Sequence, residues 1–400
     1  MKIKTDKRAF LFCALAFASY YVIVLCAIGY ATVFLRSAGV SEAGTGTIVA
    51  TACIVAALLQ PVLGRISDKV RGVDWKRLSI ALGLLLLVSF VFVYFSKNAL
   101  LVASFFAVII FTNCTSPFLN ESSFYYERNG RHVNFGIVRG AGSISYALIS
   151  YLFQFAEIGN DTRPIIFTGI AASLVLIASV IALPRVESDT GDVAMLKSIE
   201  KSRSFIGFVK EHRVFMIFWL SLIFIMTFQS LFSANLIDIV NKANGSVDTM
   251  GIAIALAAIV EIPVMFLFSK LLKKMSPELL ILVGAFFFVV KSVLFLIAGS
   301  MTVVYIAQVL QMLTYAVVVP ASVYLSDKLV EKEYASTGQT LIGFTVTSGS
   351  VFGFFIGGIT EQYGGTTVML LTGVAITVIG FIIALIANLA AKGTKNNKQA

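Results

Sequence analysis

Charge is what this 400-residue chain has least of: 13% of its residues are Asp, Glu, Lys or Arg, against 58% hydrophobic. A soluble domain carries about 25% charge, so an ordinary water-soluble globule is excluded and a polytopic membrane protein is expected. The mean hydropathy of +0.91 agrees. Cysteine is sparse too. Cys13, Cys26, Cys53 and Cys114 stand singly in apolar runs without a CxxC, so neither a metal site nor a disulfide framework is implied, and they read as free packing thiols. Histidine occurs only as His132 and His212, both in basic polar segments where solvated loop residues are expected. With no Ser/His/Asp or Cys/His set, no enzyme is expected. The chain has no G-x-x-x-x-G-K-[ST], which excludes ATP as the driver within it. It lacks the ten-residue alternation of membrane β-strands, a re-entrant filter segment and a charged ring, which argues against a barrel or a channel. No A-x-A-like cleavage site follows the first apolar run, which therefore reads as a retained helix.

What fills the chain instead is apolar length. Twelve segments of about 20 residues or more, enough to cross a bilayer, recur at 10–34, 44–64, 78–96, 99–126, 135–157, 164–184, 214–240, 248–270, 279–299, 302–325, 337–360 and 365–390. The polar stretch PRVESDTGDVAMLKSIEKSRSFIGFVKEHR separates the sixth from the seventh. The expected fold class is an all-α membrane protein, twelve transmembrane helices in two pseudo-symmetric six-helix bundles. Its domains are residues 1–184, a cytoplasmic linker over 185–213, and 214–400 with a basic cytoplasmic tail.

Orientation follows from Lys and Arg, which favour the cytoplasmic loops. With the N-terminus inside, 25 of the 31 fall in cytoplasmic segments, and the external loops keep only Arg36, Lys97, Arg163 and Lys242. Both termini are expected on the cytoplasmic side of the cell membrane. The net charge of +10 is spread in short clusters between spans, with no patch or stripe suited to nucleic acid. The partners expected are the lipid bilayer and a small-molecule solute; a monomer suffices.

The halves echo each other. Each has a basic loop between its second and third helices, GRISDKVRGVDWKR and SKLLKKMSPE, and one acid and one base inside adjacent spans. Such duplication is the sequence sign of a transporter whose site lies between two repeats. Gly349, Gly353 and Gly357 form a ridge on the eleventh span, and Gly136 and Gly140 a shorter one on the fifth. Close helix packing is expected of both.

Charges inside a bilayer are costly and need a reason. Glu121 lies near the cytoplasmic end of the fourth span and Arg139 about one turn into the fifth, at depths that allow an ion pair. Arg139, Gly142, Ser143, Tyr146 and Ser150 share one helical face; Asn113, Ser116, Asn120 and Glu121 lie on a comparable stripe. A guanidinium fork, a carboxylate, amides, hydroxyls and a flat ring make a surface for a polyhydroxylated solute. The alternative is an interfacial ion pair snorkelling to the headgroups. Glu261 and Lys291 sit mid-span on the eighth and ninth spans, where snorkelling explains them poorly. A buried acid that exchanges a proton for a pairing is a proton-coupling element; a structural pair between packed helices is the plainer alternative. Gln308, Gln311 and Tyr315 add neutral hydrogen-bonding groups facing one way on the tenth span.

LLQPVLGRISDKVRG carries G-x-x-x-D-[RK] between the second and third spans, and in this the chain resembles the major facilitator superfamily. Along GTGTIVATACIVAALLQPVLGRISDK and NESSFYYERNGRHVNFGIVRGAGSISYAL it is similar to lactose permease and the oligosaccharide–proton symporters. The resemblance covers most of the chain and is strongest in the N-terminal half. It implies that Gly64, Asp68 and Lys69 form a gating latch, that Glu121 and Arg139 are the sugar-binding acid and arginine, and that Tyr146 is the stacking aromatic. The C-terminal half departs. Ser230 and other neutral residues replace the family's acids on the seventh helix, and Gln308, Gln311 and Thr314 replace a lysine, a histidine and a glutamate on the tenth. The eighth-helix acid would fall at Ala258, one turn before Glu261, and the ninth-helix arginine becomes Lys291. EIP and LQMLTYA resemble the wider lactose-permease-like and nucleoside–proton symporter relatives.

These readings converge on a secondary active transporter without a cofactor, importing a sugar, oligosaccharide or related hydroxylated solute with a proton by alternating access. Substrate contacts are expected from Glu121, Arg139, Tyr146, Asn120, Gln308 and Gln311, and proton coupling from Glu261 and Lys291. The alternatives are a proton-driven drug or metabolite exporter of the same fold, which the 34 phenylalanines would suit, and a nucleoside–proton symporter.

Overall fold

A computed structural model describes residues 7–69, 74–128, 133, 135–184, 205–331 and 334–396. His132 and most of the linker lie outside the described residues, as do the side chains of Asp68 and Lys69 and the surroundings of Gly136.

The chain is helical along nearly all of that length. In the first half, α1 (Lys7–Val24) passes through a π-helical turn, Leu25–Gly29, into the short α2 (Ala31–Ser37). There follow α3 (Glu42–Lys69), α4 (Trp75–Phe95), α5 (Asn98–Arg128), α6 (Phe135–Leu152) and α7 (Arg163–Ala182). The second half begins with a seven-residue α8 (Phe205–Glu211), then α9 (Arg213–Ala234) and the short α10 (Leu236–Lys242). It continues with α11 (Val247–Leu272), α12 (Pro277–Leu296), α13 (Met301–Val309), α14 (Tyr315–Leu329) and α15 (Ala335–Asn396).

Among the described residues, ten helical stretches are long and apolar enough to cross a membrane. The last of them covers 56 residues and breaks at Gly365, where φ is +71°, leaving helix on both sides of the kink. Outside the ten, the 18-residue α6 lies where the fifth span is expected. Only 33% to 56% of each span is buried; the remaining faces show residues such as Leu58, Phe95, Phe167 and Phe266 outward, as contact with lipid requires. Helix starts carry ordinary signals: Asp74 accepts from the Arg77 N–H at 2.8 Å, and Ser246 and Thr249 form a capping box. The duplication extends to proline. The second span of each half holds one inside its helix, Pro61 in α3 and Pro263 in α11, and the fourth does likewise with Pro117 and Pro320. Within a membrane, neighbouring helices can satisfy the backbone groups such prolines free.

The halves meet along two seams, α3 against α15 and α6 against α11. Small residues bring the backbones together. A Cβ on Gly46 would run into the Phe354 carbonyl and the Gly358 Cα, and one on Gly251 would stand 2.5 Å from the Ser150 carbonyl oxygen. Among the described residues, the hydrogen bonds that cross between halves gather at the end carrying α2 and α10. Thr32 Oγ1 donates to the Ala234 carbonyl, Arg36 forms a forked ion pair with Asp238, the Ala43 N–H donates to Gln362 Oε1, and Ser150 Oγ donates to the Gly251 carbonyl.

Two local expectations are corrected. The ridge of Gly349, Gly353 and Gly357 does pack closely against Met226, Thr227 and Asn235 of the seventh span. Gly140, in contrast, has open space where a Cβ would be, so close packing does not explain it. His212 is buried and not solvated: at the bend between α8 and α9 its ring stacks on Phe208 at 4.5 Å and meets the edge of Tyr334. Cys13, Cys26, Cys53 and Cys114 are free and buried, as expected.

Candidate functional site: a cavity between the halves

Both halves line a central cavity of about 430 Å³. The first half contributes Tyr20, Tyr21, Asn113, Ser116, Ser143 and Tyr146. From the second come Gln229, Ser230, Glu261, Gln308, Gln311 and Tyr315. Apolar surface between them comes from Phe232, Phe354 and Ile254. Among the described residues, Glu261 is the one ionisable acid or base of the lining apart from the tyrosines. Hydroxyls and amides on an apolar floor suit a neutral, hydrogen-bonding solute.

Local irregularity positions these groups. The first span breaks at the π-helical turn, which holds Ile28 and Gly29 at the cavity wall. In the tenth, α13 gives way to a 3₁₀ turn over Leu310–Met312, and Thr314 leaves helical geometry (φ −103°, ψ −100°) before α14 begins. Breaks of this kind concentrate at functional sites because they release backbone and redirect side chains. Gln308 lies in the last turn of α13, Gln311 within the 3₁₀ turn, and Tyr315 begins the next helix.

The structure divides the residues expected to bind substrate. Tyr146, Gln308 and Gln311 line the cavity. Arg139 stands one layer back, its Nε donating to the Tyr21 hydroxyl at 3.1 Å, with Tyr315 and Glu261 among the groups acting on it electrostatically. A Cβ on Gly142 would overlap the Tyr21 ring, so that glycine makes the room in which Tyr21 lies beside Arg139. Asn120 and Glu121 are half-buried on α5 and are not part of the lining. The described ion pairs do not join Glu121 to Arg139.

Glu261 and Lys291 are brought together through a third residue. Lys291 is fully buried, 4.2 Å from the centre of the Phe232 ring and 5.7 Å from that of Phe295, a setting in which aromatic faces partly replace water around a cation. Its ammonium donates to Gln311 Oε1, and Gln311 Nε2 donates to Glu261 Oε1 at 2.9 Å. With both groups charged, the amide lies one way round. A lysine has no acceptor and an ionised carboxylate no donor, so oxygen faces the cation and nitrogen faces the anion. Of the proposed latch, Gly64 is on α3 with open space where a Cβ would be, while the side chains of Asp68 and Lys69 are outside the described residues.

Sequence reasoning missed Tyr20, Tyr21 and Gln229, and it missed Asp238 as the partner of Arg36. The signal for Gln229 is an amide within the apolar IMTFQSLF; tyrosines in an apolar span give no comparable mark, because they pack as readily as they bind.

Residues 13–372 match the family model described as the MFS_1 like family. No curated protein sequence matches the chain. Among solved structures, a point mutant of the nucleoside transporter NupG superposes with a TM-score of 0.74 at 13% identity, covering 96% of this chain and 98% of that one. A bacterial homolog of the human lysosomal transporter Spinster, inward-facing and unoccupied, gives 0.70 at 14% identity over 95% and 96% of the two chains. A point mutant of the peptide transporter POT gives 0.68 at 12% identity over 96% and 93%. The chain belongs to the MFS_1 like family, and its fold is that of MFS-type transporters spanning a membrane many times.

Proposed function

We propose that this member of the MFS_1 like family is a proton-coupled importer of a neutral hydroxylated solute, a sugar or oligosaccharide first, working by alternating access. The observation that carries the reading is the cavity itself, with tyrosines, serines and amides from both halves around one carboxylate. Such groups exchange hydrogen bonds with vicinal hydroxyls, and Tyr146 offers a ring to the apolar face of a sugar. Glu261, with two cations acting on it, Lys291 and Arg139, is the group through which a proton would enter and leave. With the N-terminus inside, the end tied by Arg36–Asp238 is the external one, and the conformation is closed to the outside.

A nucleoside is the second reading. Ribose would use the same hydroxyl-binding groups and a planar base the tyrosine rings, and a solved structure of this fold is that of a nucleoside transporter. A hydrophobic drug exporter fits less well, since an apolar ligand would leave the cavity's hydroxyls, amides and carboxylate without hydrogen-bond partners.

The test is uptake into proteoliposomes of radiolabelled lactose, sucrose, raffinose and uridine, with and without an imposed inward proton gradient. At least one is expected to accumulate only with the gradient, and Glu261→Gln to abolish that accumulation. Absence of uptake for all four, or uptake indifferent to both gradient and Glu261→Gln, would overturn the reading.

A further inference from the structure

Lys291 is fully buried and absent from the cavity lining, whereas Gln311 and Glu261 both belong to it. Of the lining residues that touch Lys291, Phe232 offers only a ring face, and Gln311 alone is hydrogen-bonded to it among the described contacts. A donor held against a carboxylate favours its charged form, and a donor polarised by a cation at its other end does so more strongly. Gln311 is such a donor: its amide nitrogen faces Glu261 while its oxygen takes the ammonium of Lys291. The turn that carries Gln311 is 3₁₀, between α13 and α14, so its side chain can shift without breaking a regular helix.

We propose that Gln311 is a positioning residue that keeps the empty carrier from carrying protons, holding Glu261 charged until a solute takes over its amide. This rests on the reading of Glu261 as the proton carrier. A bound hydroxylated solute offers donors and acceptors of its own. When it draws the Gln311 amide nitrogen away, Glu261 loses its hydrogen bond and its connection to Lys291 in one movement, and picks up a proton. Solute binding and proton binding then accompany each other, and neither crosses alone. The other groups acting on Glu261 or sharing its surroundings are Arg139 and Tyr146 of α6 and Tyr315 of α14. Arg139 and Tyr146 belong to the helix packed on α11 across the seam and Tyr315 follows the turn, and none of them bridges two charges through a movable amide.

The experiment uses the proton alone as probe, so it needs no knowledge of the solute. Full-length protein in proteoliposomes loaded with a pH-sensitive dye is energised by a potassium diffusion potential, and proton entry is followed with no solute present. Wild type is expected to be tight. Gln311→Met is expected to leak about tenfold faster, the order set by losing one hydrogen bond to a charged group. Gln311→Met combined with Lys291→Met, which leaves no uncapped ammonium and so guards against a folding defect, is expected to leak at least as fast. Adding Glu261→Gln to either is expected to return the leak to the wild-type level. Tight vesicles with either folded variant, or a leak that persists after Glu261→Gln, would overturn the proposal. Failure of the wild type to accumulate any solute with a proton would instead overturn the reading of function, so the two failures are distinguishable.

Discussion

At the residue scale, the site is organised less by direct ion pairs than by neutral groups placed between charges. Arg139 reaches the cavity through Tyr21, and Lys291 reaches it through Gln311. This arrangement ranks substitutions differently from a direct Glu121–Arg139 pair. Arg139→Lys keeps the charge but loses the fixed guanidinium that holds the Tyr21 hydroxyl. We expect it to lower the initial uptake rate about tenfold, equivalent to about 1.4 kcal/mol. Glu121→Gln, away from the lining, is expected to lower the same rate less than about threefold. Equal losses in the two uptake assays would place Glu121 on the solute after all. The sequence shows which spans hold charges, because a lysine or a glutamate in an apolar run is visible by contrast. It does not show what each one touches. Glu261 and Lys291 are mid-span and adjacent in span order, so their association was legible. The interposed amide was not, because a glutamine on one face of a helix looks the same whether it binds solute or bridges two charges.

At the scale of elements, apolar length marks the spans but hides their breaks. A hydropathy count treats residues 10–34 as one helix, yet α1 and α2 are separated by a π-helical turn, and α9 and α10 by Asn235. Nothing in the composition of LCAIGY requires that turn, which is fixed by what the chain packs against. The ridge of glycines on α15 was readable as a packing surface because small residues every fourth position lie on one helix face. Gly251 was not, since a lone glycine in a span has no periodicity. Its closeness to the Ser150 carbonyl and the Tyr30 hydroxyl makes it sensitive. Gly251→Leu is expected to force α6 and α11 apart, at a cost of about 1–3 kcal/mol typical of overpacking. Thermal unfolding monitored by tryptophan fluorescence should show a lowered midpoint; an unchanged midpoint would mean that the seam yields freely.

Over the whole molecule, the paired prolines and the two seams make a body of two halves around a shared cavity. Among the described residues, the hydrogen bonds between those halves are concentrated at the α2 and α10 end. Arg36 was legible as an external-loop arginine by charge counting, but its partner 202 positions away was not, since no local pattern encodes a contact between halves. Asp238→Asn leaves the guanidinium without its charged partner in a mostly buried setting, which weakens closure at that end. A cysteine placed at Ala257, on the cavity wall, should then be labelled by an impermeant maleimide from outside right-side-out vesicles several times faster than in the parent. Unchanged labelling would show that the ion pair does not hold that end shut.

Solute and proton are held to cross together through a single cavity between the halves, with Glu261 carrying the proton. The most direct measurement is the pH of a weakly buffered medium around proteoliposomes when unlabelled lactose is added outside, repeated with uridine. For the solute that enters, the medium should turn alkaline as it is taken up, and the change should vanish with Glu261→Gln. Entry of labelled solute with no change in external pH would contradict proton-coupled import.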